Sequence, residues 1–186
     1  MDLKSVGIWT GQLDYQPASR AREAVAELEE LGYGAVWVGE AVGREALSNA
    51  GLLLSVTRRL VVATGIANIW VRDALAMVAG QYTLAEAYPE RFLLGLGVSH
   101  APLIEEMRGH HYQRPLAAMR HYLNAMDEVV SAYRAVPPPT PRHGSWLRSA
   151  PRCSPSPPSK PRARTPTSCL QSTPRRPVTS SALTHG

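Results

Sequence analysis

One run limits the fold of this chain more than any other: Arg91-Phe92-Leu93-Leu94-Gly95-Leu96-Gly97-Val98-Ser99-His100-Ala101-Pro102. Its apolar residues do not alternate with polar ones, so a strand made from them needs cover on both faces, as in a parallel sheet. Parallel strands cannot be joined by hairpins, and the chain between them has to cross over, usually as a helix. Gly95 and Gly97 remove side chains where another backbone or a flat ligand could come close, and Ser99 and His100 follow where the strand ends.

The rest of the first two-thirds of the chain meets that requirement. Ser5–Thr10 reads as a first strand. From Ala18 to Leu31 the apolar residues Ala21, Ala24, Val25, Leu28 and Leu31 recur at helical spacing, with Arg and Glu on the opposite face. Gly32 stands just past that helix, where a left-handed cap is needed, and Ala35–Val38 gives a second strand ending at Gly39-Glu40. Ala46–Ser55 is a second helix, and the β-branched run Leu60–Ile66 a third strand. Asp73 caps a helix over Ala74–Ala87, which Pro89 stops before the strand at Phe92. Pro115 opens a fourth helix whose stripe runs Leu116, Met119, Leu123, Met126, Val130 and Tyr133, a pattern of core packing.

Strand and helix therefore alternate four times, at intervals of roughly 25–30 residues, which is the chain used per unit in an eight-unit barrel of about 250 residues. The predicted fold class is α/β: the N-terminal half of a TIM (β/α)8 barrel, about four βα units, over residues 1–136. A doubly wound sheet is the other way to use such units, but no glycine-rich phosphate loop follows the first strand.

Composition changes abruptly at residue 137. The net charge of +5 divides into −3 before Pro137 and +8 after it, and the later segment also holds 12 of the 16 prolines and both cysteines, Cys153 and Cys169. Residues 137–186 are expected to form a disordered Pro, Arg and Ser-rich tail, because they have no helical or strand period and too little apolar surface to pack. Such a composition is also what GC-rich coding DNA yields out of frame. Ser145–Ser154 is compatible, in the shifted frame, with Leu-Ala-Ala-Leu-Gly-Pro-Lys-Met-Leu, so a frameshift is the preferred reading of the tail. No charge-free apolar run suits a secretory signal or a membrane span. With no cysteine in the predicted folded part, the expectation is a cytoplasmic protein.

Four segments carry a family resemblance: Trp9-Thr10-Gly11; Glu30-Leu31-Gly32-Tyr33-Gly34-Ala35-Val36-Trp37-Val38-Gly39-Glu40; Ala63-Thr64-Gly65-Ile66-Ala67-Asn68-Ile69-Trp70; and Tyr88-Pro89-Glu90-Arg91 running on to His100. Together, in this order, they resemble the luciferase-like monooxygenase superfamily, and within it the oxidoreductases that use the deazaflavin coenzyme F420. The resemblance covers Ser5–Tyr133. It implies a cofactor ring in the barrel mouth at the carboxyl ends of the strands. It also implies a non-proline cis peptide at Gly65–Ile66 propping that ring.

The chemistry so implied is hydride transfer between the deazaflavin and a small organic substrate. Reduction of a carbonyl, imine or activated alkene leaves a basic atom that needs a positioned acid. Glu40 and His100 are the candidates for that role, against a capping carboxylate and a locally bonded imidazole respectively. Trp9, Gly65, Ile66, Asn68 and Ser99 are the candidate cofactor-binding residues, with Trp70 as a further wall. Ala41 stands where the family's sugar-phosphate dehydrogenases carry a histidine, which argues against their substrates. His110, His111 and His121 lack carboxylate or cysteine partners, so no metal site is expected. The resemblance further implies that full-length relatives are homo-oligomers, and that the phosphate grip comes from later strands. Impaired activity is expected for this reason. FMN is the alternative cofactor, giving a luciferase-like monooxygenase. A non-catalytic fragment whose basic tail binds nucleic acid or a partner is the alternative of another class.

Overall fold

The computed structural model describes residues 6–139, and the tail expectation from residue 140 onward lies outside them. Four strand–helix units follow one another. The first is β1 (Gly7–Trp9), a 3-10 turn at Gln12–Tyr15 and α1 (Ala18–Glu30). The second is β2 (Ala35–Val38) and α2 (Ala46–Leu54). The third is β3 (Val61–Thr64), β4 (Ala67–Asn68) and α3 (Ala74–Ala87). The fourth is β5 (Phe92–Leu93), β6 (Leu96–Gly97), a π-helical turn at Leu103–Met107 and α4 (Pro115–Val129).

Every strand pair is parallel. One sheet has the order β1-β2-β3-β5, and β4 pairs with β6 in a second, two-stranded sheet. This is the α/β half-barrel that the alternation requires. Side chains along a strand alternate between faces, so the register sorts them. The row Val36, Val62 and Phe92 faces the helices, where Val25, Leu53, Leu54, Met77 and Val78 complete a core with almost no exposure. The neighbouring row, Trp9, Trp37, Ala63 and Leu93, therefore faces the other way, toward the barrel's interior side.

The helix ends follow the local chemistry of their residues. Gly32 takes φ +87°, and the Gly32 and Tyr33 N–H groups donate to Glu29 O and Leu28 O, the paired bonds of a Schellman cap. Asp73 Oδ1 accepts from Ala76 N at 2.8 Å, capping α3 as its position predicts.

Two predicted strands are broken. The third is interrupted at Gly65–Ile66, whose peptide bond is cis. The fourth is interrupted at Leu94-Gly95, because the Thr64 hydroxyl accepts from Gly95 N and donates to Gly95 O, both at 2.8 Å, in place of a strand ladder. Gly95 O also accepts from Ala67 N at 2.7 Å. A Cβ at Gly95 would lie 2.2 Å from Thr64 O, so what comes close to this glycine is the neighbouring backbone. Among the described residues no helix is long and apolar enough to cross a membrane.

Candidate active site

Because the strands are parallel, their carboxyl ends gather at one end of the half-barrel, where this architecture keeps its sites. Trp9 ends β1 and is 66% exposed. Its indole Nε1 donates to Gly65 O at 2.8 Å, and its ring would lie 3.3 Å from a Cβ on Gly65 and 3.6 Å from one on Gly39. The indole thus lies across the ends of the second and third strands where both lack side chains. Ile66 packs on Gly97 so closely that a Cβ there would meet Ile66 Cγ1 at 2.5 Å. Gly97 makes room for the side chain of the adjacent strand.

Beyond β6 the backbone turns sharply. Ser99 adopts φ +56°, a left-handed conformation costing about 1–2 kcal/mol for a residue with a Cβ. Two aromatic residues hold it there. Trp70 Nε1 donates to Val98 O at 2.8 Å, the Tyr112 hydroxyl donates to Ser99 O at 3.0 Å, and the two rings pack 5.9 Å apart. His100 is exposed, and its side chain makes no hydrogen bond among the described residues. Its carbonyl accepts from Ile104 N at 3.2 Å and starts the following turn.

Glu40 has different surroundings. It is 8% exposed, and its oxygens accept from Ala46 N at 3.1 Å, from Asn68 N at 2.7 Å and from Arg72 Nη1 at 3.1 Å, with Arg72 Nη2 in closer contact still. Arg72 Nη2 also donates to Glu45 Oε1 at 2.6 Å, and Glu45 caps α2 by accepting from Leu47 N and Ser48 N. Burial opposes ionisation of Glu45, but hydrogen bonds from the Ser48 hydroxyl and backbone and from Leu47 N, with the Arg72 charge, outweigh it and lower its pKa. The Tyr122 hydroxyl faces the carbonyls of Arg72 and Asp73 at 3.0 and 3.2 Å, and its burial pushes the phenol pKa up. A carboxylate met by this many donors is held as an acceptor. These contacts join Glu40 to α2, Asn68 and Arg72.

Asn68 is fully buried. Its Oδ1 accepts from Trp70 N at 3.0 Å, while Nδ2 has no partner. Leaving a buried donor unpaired costs about 1–3 kcal/mol, so this amide keeps binding capacity unspent.

The structure therefore gathers Trp9, Gly65 and Ile66 on one side of the mouth, joins Glu40 to Asn68, and sets Ser99 on a tyrosine–tryptophan pair. No hydrogen bond joins His100 to any of them. Arg72, Glu45 and Tyr112 were not among the residues read from sequence. Arg72 carries one signal, a lone arginine between an apolar strand end and a helix-capping Asp73; Tyr112 carries none. The side-chain-free floor at Gly39 and Gly65, the indole across it and the free Asn68 amide fit a flat ring with a polar edge. They do not supply a grip for phosphate, since Arg72 is spent on two carboxylates. Among the described residues no cluster of metal-ligating side chains occurs.

The sequence pattern of the luciferase-like monooxygenase family matches residues 4–182. A protein of Mycobacterium tuberculosis named for coenzyme F420-dependent oxidoreductase activity is 30% identical over 124 residues, which are 67% of this chain and 36% of the relative. The chain thus spans about a third of that relative's length. The F420-dependent tetrahydromethanopterin reductase of Methanopyrus kandleri superposes with TM-score 0.60 at 15% identity, over 70% of this chain and 42% of that one. An F420-dependent secondary alcohol dehydrogenase, in complex with an F420–acetone adduct, gives 0.55 at 20% identity, over 68% and 40%. The FMN-bound oxygenating constituent of 3,6-diketocamphane monooxygenase from Pseudomonas putida gives 0.58 at 12%, over 67% and 38%. At these identities the three structures speak for the fold.

Proposed function

The chain belongs to the luciferase-like monooxygenase family, and from that premise we propose that its mouth is the ring-binding half of an F420-dependent oxidoreductase site acting on a small organic substrate. The carrying observation is the buried, unpaired Asn68 amide beside a side-chain-free floor crossed by Trp9. When bound, the deazaflavin supplies or accepts the hydride. Asn68 Nδ2 offers a hydrogen bond to the ring's polar edge, Ile66 and Trp9 bound its faces, and Ser99 presents its hydroxyl from the turn beyond β6. His100, exposed at the end of the same segment, holds the proton that the product's basic atom takes up. Glu40 acts through Asn68 and Arg72 as a positioning residue. The name of the mycobacterial relative supports the deazaflavin in preference to FMN.

Titration of the 186-residue chain with coenzyme F420, followed by the cofactor's fluorescence, tests this reading. The expected result is saturable binding that varies with salt only as the cofactor's own charge requires, weakened about tenfold by Asn68→Ala, the loss of one hydrogen bond to a buried group. Binding of FMN but not of F420 would replace the cofactor assignment. Binding of neither, with DNA binding that falls steeply with salt, would overturn the enzymatic reading.

A further inference from the structure

Large exposed apolar side chains collect on two flanks of the half-barrel. The order β1-β2-β3-β5 leaves β1 and β5 as the edges of the sheet. On the β1 flank, Val6, Trp9 and Leu31 are 74%, 66% and 68% exposed. A groove of about 450 Å³ runs between β1 and α1 there, lined by Ile8, Leu13, Ala24, Leu28 and Leu31, with acidic Glu27 beside them. On the opposite flank Leu116, in the first turn of α4, is 64% exposed, Leu75 in the first turn of α3 is 46% exposed, and Arg120 stands exposed on α4.

These flanks complement each other. Both edges are parallel strands of the same direction, so a half-turn about an axis along the strands sets the β5–β6 edge of one copy beside β1 of another, and the reverse. Four strands and four make the eight that close a (βα)8 barrel, in which the helices form a continuous outer ring. The helix after the fourth strand then lies over the joint with the next strand, which is the position of the apolar groove. Its Arg120 approaches the side that carries Glu27.

We propose that the chain pairs with a second copy of itself about a twofold axis along the strands, closing an eight-stranded barrel in which α4 of each copy fills the β1–α1 groove of the other. The candidate mouth is incomplete in one copy; closure brings Trp9 and Ser99 of both copies around a single opening. Where the functional reading also holds, one deazaflavin binds per pair.

Sedimentation equilibrium of the full chain without cofactor tests the pairing apart from the function. The expected mass is twice 20.2 kDa at micromolar concentration. Leu116→Asp, at a site already exposed in the single copy, should leave the far-ultraviolet dichroism unchanged and weaken pairing at least tenfold. A monomeric chain overturns the proposal, as does a mass that climbs without limit with concentration, because twofold closure stops at two. A dimer that Leu116→Asp leaves intact overturns the α4 assignment. A dimer that binds no deazaflavin leaves pairing standing and counts against the functional reading alone.

Discussion

The two ends of the same four strands are built on different terms. At the amino-terminal end, polar groups are satisfied by ordinary caps. Glu29, in the last turn of α1, accepts from the N–H groups of Arg58, Arg59 and Leu60 ahead of β3, at 2.6–3.1 Å. Arg91, entering β5, donates to Leu54 O at the end of α2 at 2.9 Å, where a cation suits the helix dipole. At the carboxyl end the molecule accepts a left-handed Ser99, a buried ion pair and an unpaired Asn68 amide. The amino-terminal end has its own left-handed residue, Glu90 at φ +61° ahead of β5, so it is the buried ion pair and the unpaired amide that set the carboxyl end apart, the end where this architecture keeps its sites.

The most severe test of this contrast is Arg72→Met. It strips Glu40 of its cation while leaving the carboxylate buried, a change that costs about 3–5 kcal/mol. The double variant Glu40→Gln, Arg72→Met removes the stranded charge and should recover more than half of that loss in urea unfolding. A single variant that unfolds like the wild type would show that the Glu40 contacts with Arg72 carry no stability. Next is Gly95→Ala, whose added Cβ must displace the Thr64 carbonyl from 2.2 Å. Overpacking against backbone costs about 2–3 kcal/mol, and the same substitution should weaken any ring binding at the mouth.

The sequence reveals the helix framework further than either end. The helix framework is set by local chemistry, whereas the Glu29 and Arg91 contacts at the base, like those of the mouth, join residues 29 to 37 apart. Helical periodicity located α1 and α4, the Asp73 cap and the Pro89 stop located α3, and Gly32 and Pro115 marked further ends, because caps and breakers act within a few residues of their own position. The mouth is set by contacts between residues about 30 apart in sequence. Thr64 breaks the fourth strand by bonding to Gly95, and Arg72 claims Glu40; neither partner is visible from its neighbours. The family motifs identified Trp9, Gly65, Ile66, Asn68 and Ser99 as a group, but motif membership does not distinguish a carboxylate that donates a proton from one that holds a loop in place. For Glu40 that distinction turns on Ala46, Asn68 and Arg72, partners that its motif does not show.

The base responds to pH, with a smaller effect. Burial opposes ionisation of Glu29, yet the N–H groups of Arg59, Leu60 and Arg58, with the charge of Arg59, outweigh it and lower its pKa below the ordinary 4.5. A depressed carboxylate stabilises the fold above its unfolded pKa, and that contribution is lost as pH falls through the folded value. Glu29→Gln should therefore cost about 1–2 kcal/mol at pH 7, read from the urea midpoint. Its difference from wild type should shrink as pH falls below 4.5. A difference that stays constant down to pH 3 would assign the loss to shape instead of charge.

The smallest effect sharpens the comparison most directly, because it repeats the Gly95 substitution in the framework with the opposite sign. Gly51 lies inside α2, and a Cβ there would sit 3.4 Å from Leu84 Cδ2, an ordinary packing contact with α3. The fold has no need of a bare backbone at this position. Glycine in a helix interior gives up about 0.5–1 kcal/mol relative to alanine through its greater freedom in the unfolded chain. Gly51→Ala should thus raise the urea midpoint by that much and leave ring binding untouched, whereas Gly95→Ala lowers both. If both substitutions destabilised alike, crowding would be general to the fold, and close backbone approach would no longer distinguish the mouth.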